Sequence, residues 1–477
     1  MEALVFLVLV VGGSLGLGAL LFSAMDVEVT RRRDLFGAWH AAVRAAGLTS
    51  RQLTEHESDA QGSLEGLSIG AHLKLELSNK QHVYNAKIWA KSADIPRKLS
   101  VHRDSSLRAF ARWGERGDVP IGDPGFDEQV ELPELDAHVC AALDHTARVQ
   151  LGRLLDWGGY IENGYVVCAS SWTPHYNASL PALVRSVAAL ARRLAVPPEQ
   201  LTQRLASNAL RDPAAEVRVH NLRYLVAPET NAAPALIAST VSALLAHPYP
   251  PLRLLAAQHA GVHGRMTLRA LAHDDAVALD VRVEAARSLG GAPGVQDPEG
   301  LCSVLVDGTP PEVLYAALCA VGASNDRALL DAVQGRAKHE HDSVRAAAAR
   351  ALGVLAAADT EPLLIALLSD ASADVQQCSA EALGLFGSVA AVEPLLPLAA
   401  SLVRPRLRQA ARGAIGRIQS RLGDVEAGRL TLSDPDHLAG ALDVADAATG
   451  PRLGELSLTP EAATEHELSA PPQRKLR

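Results

Sequence analysis

The sequence predicts a mainly α protein: an α-solenoid of stacked helix pairs, preceded by a small α+β domain and an amino-terminal transmembrane helix. Three observations carry this reading. The segment Ala3–Met25 holds no charged residue. All five tryptophans (Trp39, Trp89, Trp113, Trp157 and Trp172) lie before residue 173. A Val-Arg-x-x-Ala pattern then recurs at a near-constant interval. The expected partition is an anchor over 1–25, an α+β module over 26–200, a solenoid over 201–422 and a disordered tail over 423–477.

Composition bounds the alternatives. With 477 residues, 48% hydrophobic and 21% charged, the chain can bury a large core and is not wholly disordered. Five scattered cysteines without CxxC spacing argue against a disulfide scaffold or a zinc module. A net charge of −9 argues against a nucleic-acid partner.

The first element is the anchor. A helix of 23 residues spans about 34 Å, enough for a hydrocarbon core of about 30 Å. A cleaved signal would begin with basic residues and end on a small-x-small site. Here Glu2 comes first, Phe22-Ser23-Ala24 is a poor site, and Arg31, Arg32 and Arg33 follow the apolar run. The positive-inside rule then places the rest of the chain in the cytoplasm. The expected location is a bacterial inner membrane, crossed once by residues 3–25. Gly12, Gly13, Gly16 and Gly18 form no strict GxxxG face.

Next comes the mixed module. Leu35–Ala46 reads as a short helix. Leu73, Leu75 and Leu77 alternate with charged residues as a half-buried strand, and Tyr84, Ala86, Ile88 and Ala90 alternate as a second. Leu99 and Val101 suggest a third strand, and Val130 and Leu132 a continuation. Asp136–Asp156 reads as helical. Gly159–Ile161 and Tyr165–Ala169 flank Asn163-Gly164, a two-residue hairpin signal. Leu180, Leu183, Val184, Val187, Leu190 and Leu194 follow helical spacing. The segment Gly122-Asp123-Pro124-Gly125-Phe126-Asp127 is the one local motif. Asp123 and Asp127 are candidate ligand-site carboxylates; the structural alternative is a turn whose carboxylates cap backbone amides while Phe126 fills the core. The region resembles an amino-terminal module with a GD-x-x-FD turn found in predicted proteins of myxobacteria, a resemblance that implies no activity.

The repeat has its anchors at Val217, Leu252, Val281, Val313, Val344, Val375 and Leu407, with gaps of 35, 29, 32, 31, 31 and 32 residues. Arginine follows the anchor at Arg218, Arg253, Arg282, Arg345 and Arg408, whereas Leu314 and Gln376 depart. Leucine-rich first helices are expected at Glu361–Leu368 and Glu393–Ala400. An aspartate turn should cap each second helix, and glycine should end it in a left-handed cap. One such pair cannot bury its apolar face alone, so pairs stack. Residues Ala232–Ala243 read as an irregular insertion. These units resemble the HEAT-like repeat family, in the short form of phycobilin-lyase-type proteins. The resemblance covers about seven units, and it implies a binding surface rather than an enzyme. The arginine row is expected to pair with aspartates of neighbouring turns as a ladder, with an anion-binding or interaction stripe as the alternative.

No catalytic constellation is evident. One HEAT-like family, deoxyhypusine hydroxylase, binds two irons through His-Glu pairs just after the anchor. Those places here read Val219-His220, Leu254-Leu255, Val283-Glu284, Ala346-Ala347 and Gln377-Cys378, and an oxygen-activating iron site needs its full ligand set. His259 and His263 are spaced four apart as if on one helix, a metal-compatible geometry, but no matching acid or cysteine accompanies them. His339-Glu340-His341 reads as a turn before Asp342. Cys302, Cys319 and Cys378 read as small core residues. No P-loop, G-x-S-x-G or G-x-G-x-x-G context is present. No cofactor and no metal are expected. The tail carries ten acids and five bases over 423–477 and three G-x-L-x-[LV] units. The functional expectation is a membrane-anchored, non-enzymatic scaffold or adaptor that binds a protein partner of unknown identity. The competing reading is a ligand sensor or enzyme in the module, with the solenoid as its regulatory arm.

Overall fold

The computed structural model describes residues 33–54, 56–78, 81–102, 119–130, 132–172, 179–291, 296–423, 430–432 and 442–444. The expected anchor, 3–25, lies outside them. Among the described residues no helix is long and apolar enough to cross a membrane. The chain divides into two compact units, Met1–Leu355 and Ala356–Arg477.

The first unit opens with a helix over 33–45 (α1), whose Trp39 and Val43 are fully buried. A six-stranded antiparallel sheet follows, in the order β1-β2-β3-β4-β6-β5. Its strands are β1 (Thr49–Thr54), β2 (Glu57–Leu64), β3 (Leu67–Ser78), β4 (Gln81–Lys91), β5 (Gly159–Glu162) and β6 (Tyr165–Trp172). The expected alternation holds in β3 and β4: Ile69, Ala71, Leu73, Ala86, Ile88 and Ala90 are buried on one face, because strand side chains alternate with period two. The Asn163-Gly164 hairpin is present, with φ of 52° and 80°, the left-handed pair that a type I′ turn requires. A second turn of this kind, Glu65-Gly66 at 50° and 85°, joins β2 to β3. Sequence reading missed β1 and β2, since their mostly polar residues give no apolar alternation.

Other expectations in the module change. Leu99 and Val101 form no strand, only a single bridge from Val101 to Ile161. Val130 and Leu132 are buried but lie outside any strand. The expected helix Asp136–Asp156 is two helices, α3 (Ala137–Ala142) and α4 (His145–Asp156), preceded by the short turn α2 (Pro124–Asp127). Asp144 breaks the run by capping the second helix, accepting from Ala147 N at 2.8 Å, as Asp136 caps the first, accepting from Val139 N at 2.9 Å. Helix α5 (Leu180–Leu194) packs across β3, β4 and β6.

Five helix pairs complete this unit: α6/α7 (Leu201–Arg211, Ala215–Val226), α8/α9 (Pro234–Leu244, Pro250–His259), α10/α11 (Arg265–His273, Leu279–Ser288), α12/α13 (Pro298–Val304, Pro311–Ser324) and α14/α15 (Leu330–Arg336, Asp342–Leu355). The second unit holds α16/α17 (Glu361–Leu367, Ala373–Phe386) and α18/α19 (Val392–Ala399, Pro405–Gly423). All seven anchors are at most 7% exposed. Each stabilises its pair by about 1.5–3 kcal/mol of apolar burial. Residues Ala232–Ala243 are no insertion: they largely coincide with α8, the first helix of a regular pair.

Two repeat features work differently from expectation. Gly322, Gly353 and Gly384 do not end their helices; α13, α15 and α17 continue past them. A Cβ at Gly384 would stand 3.0 Å from Ala414 Cα, so this glycine permits close helix approach. Left-handed ends fall instead on Asn325 and Ala356, at φ of 52° and 47°. In three repeats the aspartate bonds within the turn. Asp212, Asp274 and Asp370 accept from the amide two residues on, at 3.0, 3.0 and 2.8 Å, which tightens the turn itself.

In the tail, Leu430–Leu432 (β7) and Leu442–Val444 (β8) pair antiparallel, Leu432 opposite Leu442. These six residues depart from expected disorder because G-x-L-x-L already alternates with strand period.

Candidate functional site

The GD-x-x-FD turn is built around its two carboxylates. Asp127 accepts from the amides of Ile121 and Gly122 at 3.0 and 2.9 Å. Asp123 accepts from Arg148 Nε at 2.7 Å. Phe126 is buried. Gly122 has φ of 94°, and a Cβ there would meet Glu216 Cβ at 2.3 Å, so the turn lies directly on α7. Both candidate ligand carboxylates therefore hold protein groups, Asp127 as a backbone cap and Asp123 as an ion-pair partner.

Arg148 is the centre that sequence reading missed. Its side chain is 1% exposed. It donates to Leu143 O at 2.8 Å and, through two nitrogens, to both oxygens of Asp212 at 2.9 Å each. Burial alone would lower its pKa; the bonds to Asp212 and Asp123 outweigh that and hold it above its usual value. Beside it, Asn208 Nδ2 reaches Cys140 O, Ala141 O and Asn221 Oδ1 at 3.2, 3.3 and 3.3 Å. Tyr224 donates to Leu135 O. These bonds tie the first helix pair to the sheet module, and one hydrophobic core runs from Leu35 to Ala256 without a break at 200. The partners of Arg148 lie 25 and 64 residues away, too far for a spacing motif. The available signal was a lone arginine on the face of α4 that also buries Leu151 and Leu155.

Three arginines of the row, Arg218, Arg282 and Arg345, donate to main-chain carbonyls. Arg218 donates to Asp212 O and approaches His247 Nε2 at 2.8 Å. Arg345 donates to His339 O and Glu340 O, each at 2.8 Å. Gln376, which departs from the pattern, donates likewise to Asp370 O at 2.7 Å. These carbonyls end the first helix of the pair or begin its turn, and they otherwise lack intrahelical donors. Where Leu314 replaces the arginine, Thr309 Oγ1 donates to Val304 O at 2.9 Å instead. Arg282 combines both roles, donating to Ala272 O at 3.3 Å and pairing with Asp275 at 2.7 Å. Among the described residues, the side chains of Arg253 and Arg408 make no hydrogen bond or ion pair; Arg253 Nε is buried.

His259 and His263 do not share a helix. The helix α9 ends at His259, and Gly261, at φ of 57°, turns the chain into a 3-10 segment. Among the described residues no cluster of three or more His, Cys, Asp or Glu could hold a metal ion. His339 and His341 stack in the turn before α15. Cys378 is buried and Cys302 half-buried, but Cys319 is exposed, on the outer side of α13 rather than in the core.

Two surface features remain. Between α4 and α5 lies an apolar groove of about 420 Å³, lined by Leu154, Trp157, Leu183, Val187 and Leu190. Gln150 also lines it, and its buried Oε1 has no hydrogen-bond partner. On the outer face of the sheet, Trp89 lies over Gly70, where a Cβ would meet its ring at 2.3 Å, and meets Tyr165 edge-on.

Comparison with known proteins adds the repeat family. A profile for HEAT repeats matches residues 298–360 and 332–416. The chain carries HEAT-like repeats. No curated protein matches it. Similar solved structures include the complex of CpcE and CpcF of phycocyanin lyase from Nostoc sp. (24% identity over 40% of this chain and 79% of that one, TM-score 0.30). Human deoxyhypusine hydroxylase in complex with glycerol is similar at 17% identity over 47% of this chain and 97% of that one, TM-score 0.24. An engineered protein is similar at 19% identity over 47% and 92%, TM-score 0.23.

Proposed function

We propose that the protein is a non-enzymatic scaffold or adaptor whose HEAT-like repeats bind a protein partner, held at a bacterial inner membrane by residues 3–25 with the bulk of the chain cytoplasmic. One observation carries the binding role. The position ten residues after the anchor is Val262, Val354 and Leu385 in three repeats, exposed by 53%, 38% and 52%. Apolar side chains kept on the surface of each unit, Val262 and Val354 in the first and Leu385 in the second, support protein binding. The candidate polar groups Asp123, Asp127, Arg218, Arg282 and Arg345 meanwhile hold the fold together. In membranes containing the full chain, Val354→Glu and Leu385→Glu should abolish cross-linking to a partner while far-ultraviolet dichroism stays unchanged. An unchanged cross-linking pattern would count against the reading. Sequencing of the mature amino terminus tests the anchor, since cleavage near residue 25 would remove it.

The groove between α4 and α5 favours a second reading, a ligand sensor or enzyme in the module. Its apolar wall and unmet Gln150 acceptor suit a small molecule that carries one N–H or O–H donor. Asp123 and Asp127 do not line it. A compound that raises the melting temperature of the full chain, but not of Leu183→Trp, would move the function to this groove.

A further inference from the structure

Beyond Glu393 in its first turn, the last helix pair carries charge of one sign only. From Pro394 to Gly423 the chain has six arginines and no acidic residue or lysine. Of these, Arg412 donates to Ala399 O at 3.0 Å, Arg421 donates to Gly384 O and Gly387 O at 2.7 Å each, and Arg404 donates to Gln376 at 2.9 Å. None of the six pairs with a carboxylate among the described residues. The turn that joins α18 to α19 carries Leu402 and Val403 at 87% and 88% exposure, the most exposed large apolar side chains described. Arg404 and Arg406 follow within three residues and are exposed as well.

We propose that this turn is an interfacial lipid contact: Leu402 and Val403 enter the headgroup–acyl boundary of an anionic membrane while Arg404, Arg406 and Arg408 meet the lipid phosphates. Two adjacent aliphatic side chains at a turn tip would raise no cost in that boundary, where they leave water without needing a matched protein groove. The surrounding positive charge is the complement of an anionic leaflet, and its attraction falls off within about 10 Å at 0.1 M salt. The contact goes beyond the scaffold reading and does not require residues 3–25.

The test uses the full chain with Leu402→Cys carrying an environment-sensitive fluorophore, in a Cys302→Ser, Cys319→Ser background. It is reconstituted in vesicles of phosphatidylcholine alone or with added phosphatidylglycerol. The expected result is a blue shift in the phosphatidylglycerol vesicles only, quenched by lipid-borne nitroxide. Arg406→Gln with Arg408→Gln leaves both side chains' neighbours bonded as before and should remove most of the shift, since each arginine near an anionic surface changes occupancy about five-fold. Protease protection of the amino terminus reads the anchor separately. No shift in anionic vesicles, or an equal shift in neutral ones, overturns the proposal. So does a shift in detergent that vanishes when 424–477 is deleted, which would make the acidic tail the occupant, or one that depends on protein density, which would indicate a second copy.

Discussion

Asp212→Asn tests whether the buried ion pair fastens the first helix pair to the sheet module. Asparagine keeps an oxygen for the Ala214 amide, now bonded at 3.0 Å, and removes the charge that faces Arg148. Two bonds of 2.9 Å join the pair, and the two side chains are 1% and 0% exposed. Breaking a buried pair from one side costs about 3–5 kcal/mol, because the other charge stays desolvated. Asp123 still accepts from Arg148, so a loss near the lower end, about 3 kcal/mol, is expected. Glu134→Gln supplies the control: its pair with Lys98 is half-exposed on both sides, and such pairs contribute under about 1 kcal/mol. Urea unfolding followed by tryptophan emission reports on Trp39, which is fully buried, while far-ultraviolet dichroism reports on the helices. Both transitions should shift together to lower urea. A loss no greater than that of Glu134→Gln, or a tryptophan transition that does not move, would refute the claim that this joint couples module to repeats.

Further outcomes follow from the same contacts. Asp297 accepts from Arg269 Nε at 2.5 Å and from Gly300 N at 3.2 Å; burial would raise its pKa, but these bonds outweigh it and hold it below the ordinary 3.8. Its contribution is therefore present above about pH 4 and lost as pH falls through the lowered value, so Asp297→Asn should flatten the acid limb of the stability profile. A thiol reagent should modify Cys319 first in the native protein, and Cys140, whose thiol burial pushes up, only on unfolding; mass spectrometry of the labelled peptides reads the order. Gly384→Ala should cost about 1–3 kcal/mol by forcing α17 from α19, measured by urea midpoint; a neutral result would refute the close-approach role. Gln376→Ala should lose about 1–2 kcal/mol, since it removes the bond to Asp370 O.

The sequence by itself determined the repeat. Seven anchors at near-constant spacing are legible because every unit must bury the same side chain against the next, and all seven are buried. Strands β3, β4 and the Asn163-Gly164 hairpin were legible for the same local reason: alternation and left-handed φ are properties of neighbouring residues. Tertiary structure alone decided what the polar residues do. The partners of Arg148 come from positions 123, 143 and 212, which no local pattern links. The arginine after three of the anchors, Arg218, Arg282 and Arg345, reaches a carbonyl at the end of the preceding helix, a target set by how two helices pack rather than by side-chain type. Gln376 and Thr309 take over that role where the arginine is missing, because the unpaired helix-end carbonyl, and not the residue that serves it, is the constant feature.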